Sequence, residues 1–322
     1  MRVRILSSDT VRSTIDMPMA IEAMRDAFSA LAAGEATVPI RVALETSHGV
    51  SLFMPAHLKE QDSAGVKIVS VNEGNAQSGL PVIHAVVVVL DTLTGCPIAL
   101  MDGTWLTALR TGAVGGLAAD LLARRDSTTV ALFGAGTQAR TQLEAVRCVR
   151  DITKVRVVSR SATSAQDLID ELSGVEAVSL EDPDEAVTGA DIIIAATSSS
   201  TPVFDGALVE PGTHVTGIGS FTTEMREVDA TLVERARVIV DQKEAALEEA
   251  GDIVGPIRDG LFGEDVIAGE IGDIVLDRIA GRTEAGEITY FKSVGNAVQD
   301  IAVAAKVLSV AEAEELGEIF DL

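Results

Sequence analysis

Residues 128–140 read TTVALFGAGTQAR, a β-branched apolar run that passes through Gly134-Ala135-Gly136 into helix-forming residues. The first glycine permits a tight strand-to-helix turn, and the second lets backbone N–H groups approach a pyrophosphate. The helix N-terminus that follows favours negative charge. Ala139 stands where a third glycine is usual, within the tolerated G-x-G-x-x-G/A spacing. A glycine triplet alone fits any αβ turn, so the neighbouring pattern decides.

That pattern alternates. Residues 137–150 carry Leu143, Val146 and Val149 at helical spacing, 154–160 form a short β-branched strand, and 161–173 are helical again. An extended stretch at 175–180, a helix at 182–189 and the near-continuous apolar strand DIIIAAT at 191–197 follow. A strand apolar on both faces belongs in a covered parallel sheet. Segments 213–219 and 237–240 add two strands, and the series predicts an α/β, doubly wound Rossmann domain over 121–299. The turn offers Gly134, Gly136, Thr137 and Gln138 as cofactor-binding residues; Ser159, Arg160, Thr197 and Ser293 join them from further along the chain.

The 120 residues ahead of this domain form something else. Residues 17–33 have helical apolar spacing, with Ser13 and Asp16 as candidate caps. Short strands at 38–44, 50–54, 65–71, 83–90 and 97–102 are separated by turn-forming clusters, and 105–124 reads as a helix. At the other end, 288–294 is extended and 295–316 is a long helix that returns to the first domain. The expected organisation is therefore a discontinuous α+β domain of residues 1–120 and 300–322 around the Rossmann domain.

The chain has 322 residues, 47% of them hydrophobic, enough for two cores. The longest apolar stretch, 82–90, contains His84 and stops at Asp91; it reads as a buried strand and not as a membrane span. No apolar leader stands at the N-terminus, so a cytoplasmic enzyme is expected. Cys96 and Cys148 have no metal-ligand spacing and read as small apolar residues, and the four histidines read as structural; no metal is expected. A net charge of −24 argues against nucleic acid and anionic membranes as partners. It fits either a solvated acidic surface or adaptation to high intracellular salt.

Three cations lie among apolar or small residues: Arg41 in PIRVAL, Lys67 in GVKIVS and Arg110 in WLTALRTGAVGG. Such charges are costly unless paired or given an anionic ligand. Guanidinium groups hold a carboxylate bidentately and a lysine moves a proton, which suits an anionic small molecule. Exposure on alternate strand faces and buried ion pairing are the other readings.

MPAHL (54–58), GVKIVSVNEGN (65–75), MDGTWLTALRTGAVGGLAA (101–119), FGAGTQAR (133–140), MREVD (225–229) and SVGNAVQD (293–300) together resemble the ornithine cyclodeaminase and mu-crystallin family, with its archaeal alanine dehydrogenases and ketimine reductases. The resemblance spans essentially the whole chain. It implies a homodimer whose first domain binds substrate and whose second holds a nicotinamide cofactor. It also implies Arg41 and Arg110 as ligands of the substrate carboxylate and Lys67 as a proton donor or relay. Where cyclodeaminases and alanine dehydrogenases of the family carry an aspartate, this chain aligns Phe221, which neither recognises nor deprotonates an amine. The balance moves to reduction of a small cyclic ketimine such as pyrroline-2-carboxylate or piperideine-2-carboxylate. Alanine dehydrogenase, ornithine cyclodeaminase and a non-catalytic NADPH-binding crystallin-like protein are the alternatives. After the second Rossmann strand the chain reads Val158-Ser159-Arg160-Ser161, without the carboxylate that holds an NAD ribose. This favours NADP(H) over NAD(H).

Overall fold

The computed structural model describes residues 1–322, the side chain of Ala76 excepted. The chain opens with β1 (Arg2–Leu6), α1 (Ser8–Thr14) and α2 (Met17–Ala32). Asp16 caps α2, its Oδ1 accepting from Met19 N at 2.9 Å, whereas Ser13 lies inside α1. Then come β2 (Ala36–Thr37), β3 (Val42–Thr46), β4 (Gly49–Leu58), β5 (Ser63–Val71), β6 (Ile83–Leu90), β7 (Pro97–Asp102) and α3 (Gly103–Leu122). The strand expected at 38–44 is displaced to β3, so Arg41 precedes the strand instead of lying in it. Pro39, with no N–H to donate, does not favour an earlier start. Residues 82–90 also need correction as a buried strand: in β6, Val87 and Val89 are buried but Val86 is 40% exposed, the alternation of a strand covered on one face.

The next stretch is built from β8 (Thr129–Phe133), α4 (Thr137–Val149), β9 (Lys154–Val158), α5 (Ala162–Glu171), β10 (Glu176–Ser179), α6 (Pro183–Val187) and β11 (Ile192–Ala195). It continues through β12 (His214–Gly217), α7 (Ala230–Arg235), β13 (Arg237–Val240), α8 (Lys243–Glu249), α9 (Gly251–Arg258), β14 (Ile267–Glu270), α10 (Ile271–Val275) and β15 (Thr289–Lys292). Every pairing is parallel, in the order β10-β9-β8-β11-β12-β15-β13-β14. Strand order reverses between β8 and β11, where a doubly wound sheet binds its ligand beyond the strand ends. Apolar residues fill both faces: Val130 and Leu132 of β8 pack in one core, Ala131 and Phe133 in the other.

The chain ends with α11 (Ala297–Ala313) and β16 (Glu318–Asp321). By contacts it divides into two units, Met1–Arg110 with Asn296–Leu322, and Thr111–Gly295. The divisions fall inside α3 and just before α11, against sequence-based boundaries of 120/121 and 299/300. In the first unit the sheet order is β16-β1-β7-β6-β5-β4-β2, with β3 also on β4. Helix α11 packs on α2, β4, β5 and β6. Both cysteines are exposed, which corrects their reading as small apolar residues. No helix among the described residues is long and apolar enough to cross a membrane.

Candidate functional site

In the first unit the pleat of β5 decides where Lys67 points. Lys67 pairs with Met54 of β4 and Val87 of β6, and Val87 pairs with Met101 of β7. Cross-strand partners share a face, and Met54, Val87 and Met101 are at most 3% exposed. The lysine therefore stands in a buried apolar row, itself 1% exposed. Its partner comes from α11: Nζ donates to Asp300 Oδ1 at 2.9 Å and lies 2.8 Å from Oδ2. Arg110 Nε donates to the same Oδ1 at 3.0 Å, and Arg110 also donates to Gln299 Oε1. Asp300 and Gln299 are fully buried, and Gln299 Nε2 is buried with no hydrogen-bond partner.

Burial lowers the Lys67 pKa to about 8; Asp300 opposes this by charge and hydrogen bond, while Arg110 and Arg41 reinforce it. Two of the three charges acting on the lysine are thus cations. The arrangement suits an anionic ligand and supplies an ammonium group able to give up its proton near neutral pH. Arg41, half-buried ahead of β3, joins Lys67 and Arg110 through this electrostatic influence. The sequence reading missed Asp300 and Gln299. A signal existed, since Gln-Asp interrupts the apolar run of α11 just as Lys67 interrupts that of β5.

In the second unit Gly134 follows β8 with φ +105°, its N–H donating to Val158 O at 2.9 Å. A Cβ there would meet Ala196 O at 2.5 Å, so the turn lies directly against the end of β11. Gly136 caps α4 with no side-chain hydrogen bond, and nothing lies within 4 Å of where its Cβ would stand. Thr137 is exposed and Gln138 half-buried, the latter with a buried, unpartnered Oε1. The cradle offers free backbone donors, open space and an unmatched acceptor, which fit a dinucleotide.

Strand β9 ends at Val158, leaving Ser159 half-buried and Arg160 exposed before Ser161, which caps α5 by accepting from Ser164 N at 3.1 Å. Thr197, just past β11, donates through N (2.6 Å) and Oγ1 (2.8 Å) to Glu227 Oε1. Ser293 is buried, and its Oγ donates to Asp241 Oδ2 at 2.6 Å, an oxygen that also accepts from Val294 N and Gly295 N. Phe221 is 42% exposed on the segment after β12. Buried Glu227, Asp241 and Asp252 were not recognised in the sequence. His214 is fully buried between Thr289 and Thr216, and no three His, Cys, Asp or Glu side chains are grouped for a metal among the described residues.

The fold and these residues define a two-unit protein with a Rossmann nucleotide-binding part and a buried cationic site. The model of the ornithine cyclodeaminase/mu-crystallin family matches residues 2–315, and the chain belongs to that family. It is 39% identical over 306 residues to a Delta(1)-pyrroline-2-carboxylate reductase of Bacillus cereus, covering 93% of this chain and 94% of the relative. Among solved structures it is similar to the Thermococcus litoralis Delta(1)-pyrroline-2-carboxylate reductase in complex with NADH and L-proline (TM-score 0.95, 38% identity, 98% and 99% of the two chains). It is also similar to an archaeal alanine dehydrogenase dimer with bound NAD (TM-score 0.96, 36% identity, all of both chains).

Proposed function

We propose that the protein is a nicotinamide-dependent reductase of small cyclic imino acids, with pyrroline-2-carboxylate or piperideine-2-carboxylate as substrate. The buried Lys67–Asp300–Arg110 cluster carries this reading. Arg41 and Arg110 hold the substrate carboxylate, which fixes the imine and removes the entropic cost of aligning it. Lys67, protonated below about pH 8, keeps the imine nitrogen protonated and its carbon electrophilic. A nicotinamide dinucleotide, when bound, would supply the hydride that reduces the protonated imine to the amino acid. The first unit acts as substrate-binding and dimerisation domain. In the second, Gly134, Gly136, Thr137 and Gln138 hold the pyrophosphate side, Thr197 lies at the switch point, and Ser293 acts by holding its Asp241 partner and the following backbone.

The residues after β9 favour NADP(H): Arg160 and the neighbouring hydroxyls suit a 2′-phosphate, and no carboxylate stands there to repel it. NAD(H) remains usable, as the solved relatives with NADH and NAD illustrate. We also infer a homodimer. Val42, Phe53, Ile68 and Val86 form one row on the face of the sheet opposite Lys67, and Val42 and Val86 are 62% and 40% exposed. A second copy covers this apolar face, as the likeness to an alanine dehydrogenase dimer supports. An enzyme of this kind draws on the cytoplasmic nicotinamide pool.

The test is a spectrophotometric screen of NADPH and NADH oxidation with preformed cyclic imines, pyruvate plus ammonia, and pyruvate plus methylamine. Oxidation with the cyclic imines is expected, and Lys67→Ala abolishes it while leaving NADPH binding intact. Activity confined to pyruvate plus ammonia establishes the second reading, alanine dehydrogenase, which the 36% identity to such an enzyme favours. Ammonia release from ornithine without net oxidation establishes a cyclodeaminase, and dinucleotide binding with no turnover a crystallin-like protein. Either outcome overturns the proposal.

A further inference from the structure

Glu227 is fully buried in the second unit, yet it belongs to neither the glycine turn nor the cation cluster. Its carboxylate accepts four hydrogen bonds from two loops: Oε1 from Thr197 N (2.6 Å) and Thr197 Oγ1 (2.8 Å), Oε2 from Gly219 N (2.6 Å) and Ser220 N (3.1 Å). A buried carboxylate is tolerated when its lone pairs are satisfied in this way. The loops are those leaving β11 and β12, and they touch backbone to backbone. A Cβ on Gly219 would stand 1.9 Å from Thr197 O and 2.6 Å from Glu227 Oε1. The β11 loop is also the one against which Gly134 packs, through Ala196 O.

Glu227 is itself held. Its N–H donates to Asp252 Oδ1 at 2.6 Å, and Val228 N donates to the same oxygen at 3.1 Å. Asp252 Oδ2 lies 2.9 Å from Lys292 Nζ at the end of β15 and accepts from Tyr290 OH at 3.3 Å. Lys292, Tyr290 and Asp252 are all fully buried. One carboxylate thus ties the C-terminal ends of β11 and β12 together, anchored through α9 to β15.

We propose that Glu227 is a positioning residue. It fixes the Thr197 loop and the Gly219–Phe221 loop as one rigid wall of the dinucleotide site and so sets dinucleotide affinity without touching the dinucleotide. The proposal rests on the reading of this unit as the dinucleotide-binding one, because ligands of such sheets lie beyond the strand ends at the β8/β11 reversal. Glu227→Gln tests it on the full-length protein. The amide places an NH₂ group where one pair of donors needs an acceptor, releasing one of the two loops.

NADH is the probe, titrated by its fluorescence, with thermal melting and steady-state kinetics measured alongside. In the folded variant the dissociation constant and the KM for NADH are expected to rise about tenfold, equivalent to about 1.4 kcal/mol. A lowered melting temperature with the NADH dissociation constant unchanged in the folded protein makes Glu227 merely structural and overturns the proposal. If the glutamine variant fails to fold, Glu227→Asp decides: it keeps the charge but is one methylene too short to reach both loops. An aspartate variant that binds NADH as tightly as the parent overturns the proposal; a rise of about threefold or more supports it. A parent protein that binds neither NADH nor NADPH overturns the reading of the unit and this proposal together. A parent that binds NADH while the variants do so equally well overturns the positioning role alone.

Discussion

Asp300→Asn removes one negative charge from the site and leaves its shape in place. The carboxylate holds Lys67 Nζ at 2.9 and 2.8 Å and Arg110 Nε at 3.0 Å, all three side chains at most 8% exposed. Hydrogen bonds to charged groups contribute about 1.5–3 kcal/mol each. Depriving buried cations of their partner costs about 3–5 kcal/mol, so the variant should melt well below the parent. The catalytic consequence has its own signature. Burial, Arg110 and Arg41 all lower the Lys67 pKa, whereas Asp300 raises it by charge and hydrogen bond, leaving it at about 8. With Asp300 neutral, the lowering influences act unopposed and the pKa falls below 8. On the proposed mechanism imine reduction needs the protonated lysine, so kcat/KM should hold at lower pH and decline above the Lys67 pKa. The parent's decline is expected near pH 8 and the variant's at lower pH, with about 1.4 kcal/mol of lost charge stabilisation for every tenfold change in proton affinity. The assay is NADPH oxidation with pyrroline-2-carboxylate at saturating cofactor across the neutral and alkaline range. A variant whose activity is uniformly reduced but declines at the parent's pH would refute the reasoning, for Asp300 would then act on packing and not on the proton.

Three further perturbations probe other parts of the molecule. Arg160→Ala should raise the KM for NADPH by about tenfold, about 1.4 kcal/mol, and that for NADH far less; equal changes in the two titrations rule out the 2′-phosphate role. Gly134→Ala demands φ +105° of an L-residue and sets its Cβ 2.5 Å from Ala196 O. The cost is about 1–3 kcal/mol for the backbone alone, with loss of dinucleotide binding, and a variant that binds NADPH like the parent contradicts the close packing of the turn. His214 is pulled down from 6.5 to about 3, mainly by burial and further by Arg282 and Arg150. Between those values the unfolded chain binds the extra proton, so stability present above about pH 6.5 is lost as pH falls towards 3, by up to about 1.4 kcal/mol per pH unit. Denaturant unfolding at neutral and mildly acid pH should show a shallower dependence for His214→Asn, and parallel curves would discount this histidine.

How much of this was legible in the sequence follows the range of the interactions. The strand-turn-helix at 128–140 is specified locally by β-branched residues, Gly134 at positive φ and the apolar face of α4, and the structure forms it as read. Several strand edges of the second unit are read one or two residues too long, as at β9, where the polar Ser159 and Arg160 lie past the ladder, whereas β4 and β5 of the first unit are read too short, 50–54 against Gly49–Leu58 and 65–71 against Ser63–Val71. Strands β1 and β16 were not recognised at all: they pair the two ends of the chain, Arg2 with Asp321, and neither has a local turn to announce it. Asp300 was missed for the same reason. Lys67 is visible as a cation in an apolar strand, but its partner lies 233 residues away, and only folding brings α11 over β5. Nothing local distinguishes Glu227, Asp241 and Asp252 as buried among the 49 acidic residues of the chain.

The buried acids near the strand ends of the second unit do not oppose the anion site proposed at the glycine turn. Glu227, Asp241 and Asp252 are each satisfied by donors at the strand ends, and Asp252 in addition by Lys292, so their charge shapes loops instead of facing the cradle. Helix starts follow the same economy. A side-chain oxygen caps α1, α2, α5, α6, α7 and α11, from Ser7, Asp16, Ser161, Asp182, Asp229 and Asn296. Helix α4 begins instead at Gly136, with no cap and open space about it. An aspartate there would cap the helix as it does elsewhere in this chain, a gain of roughly a few tenths of a kcal/mol over glycine. It would also place a fixed negative charge at the position proposed for the pyrophosphate. Helices α8, α9 and α10 also start without a side-chain hydrogen bond, so what sets α4 apart is the open space at Gly136, which leaves room for an anion to cap the helix in place of a side chain.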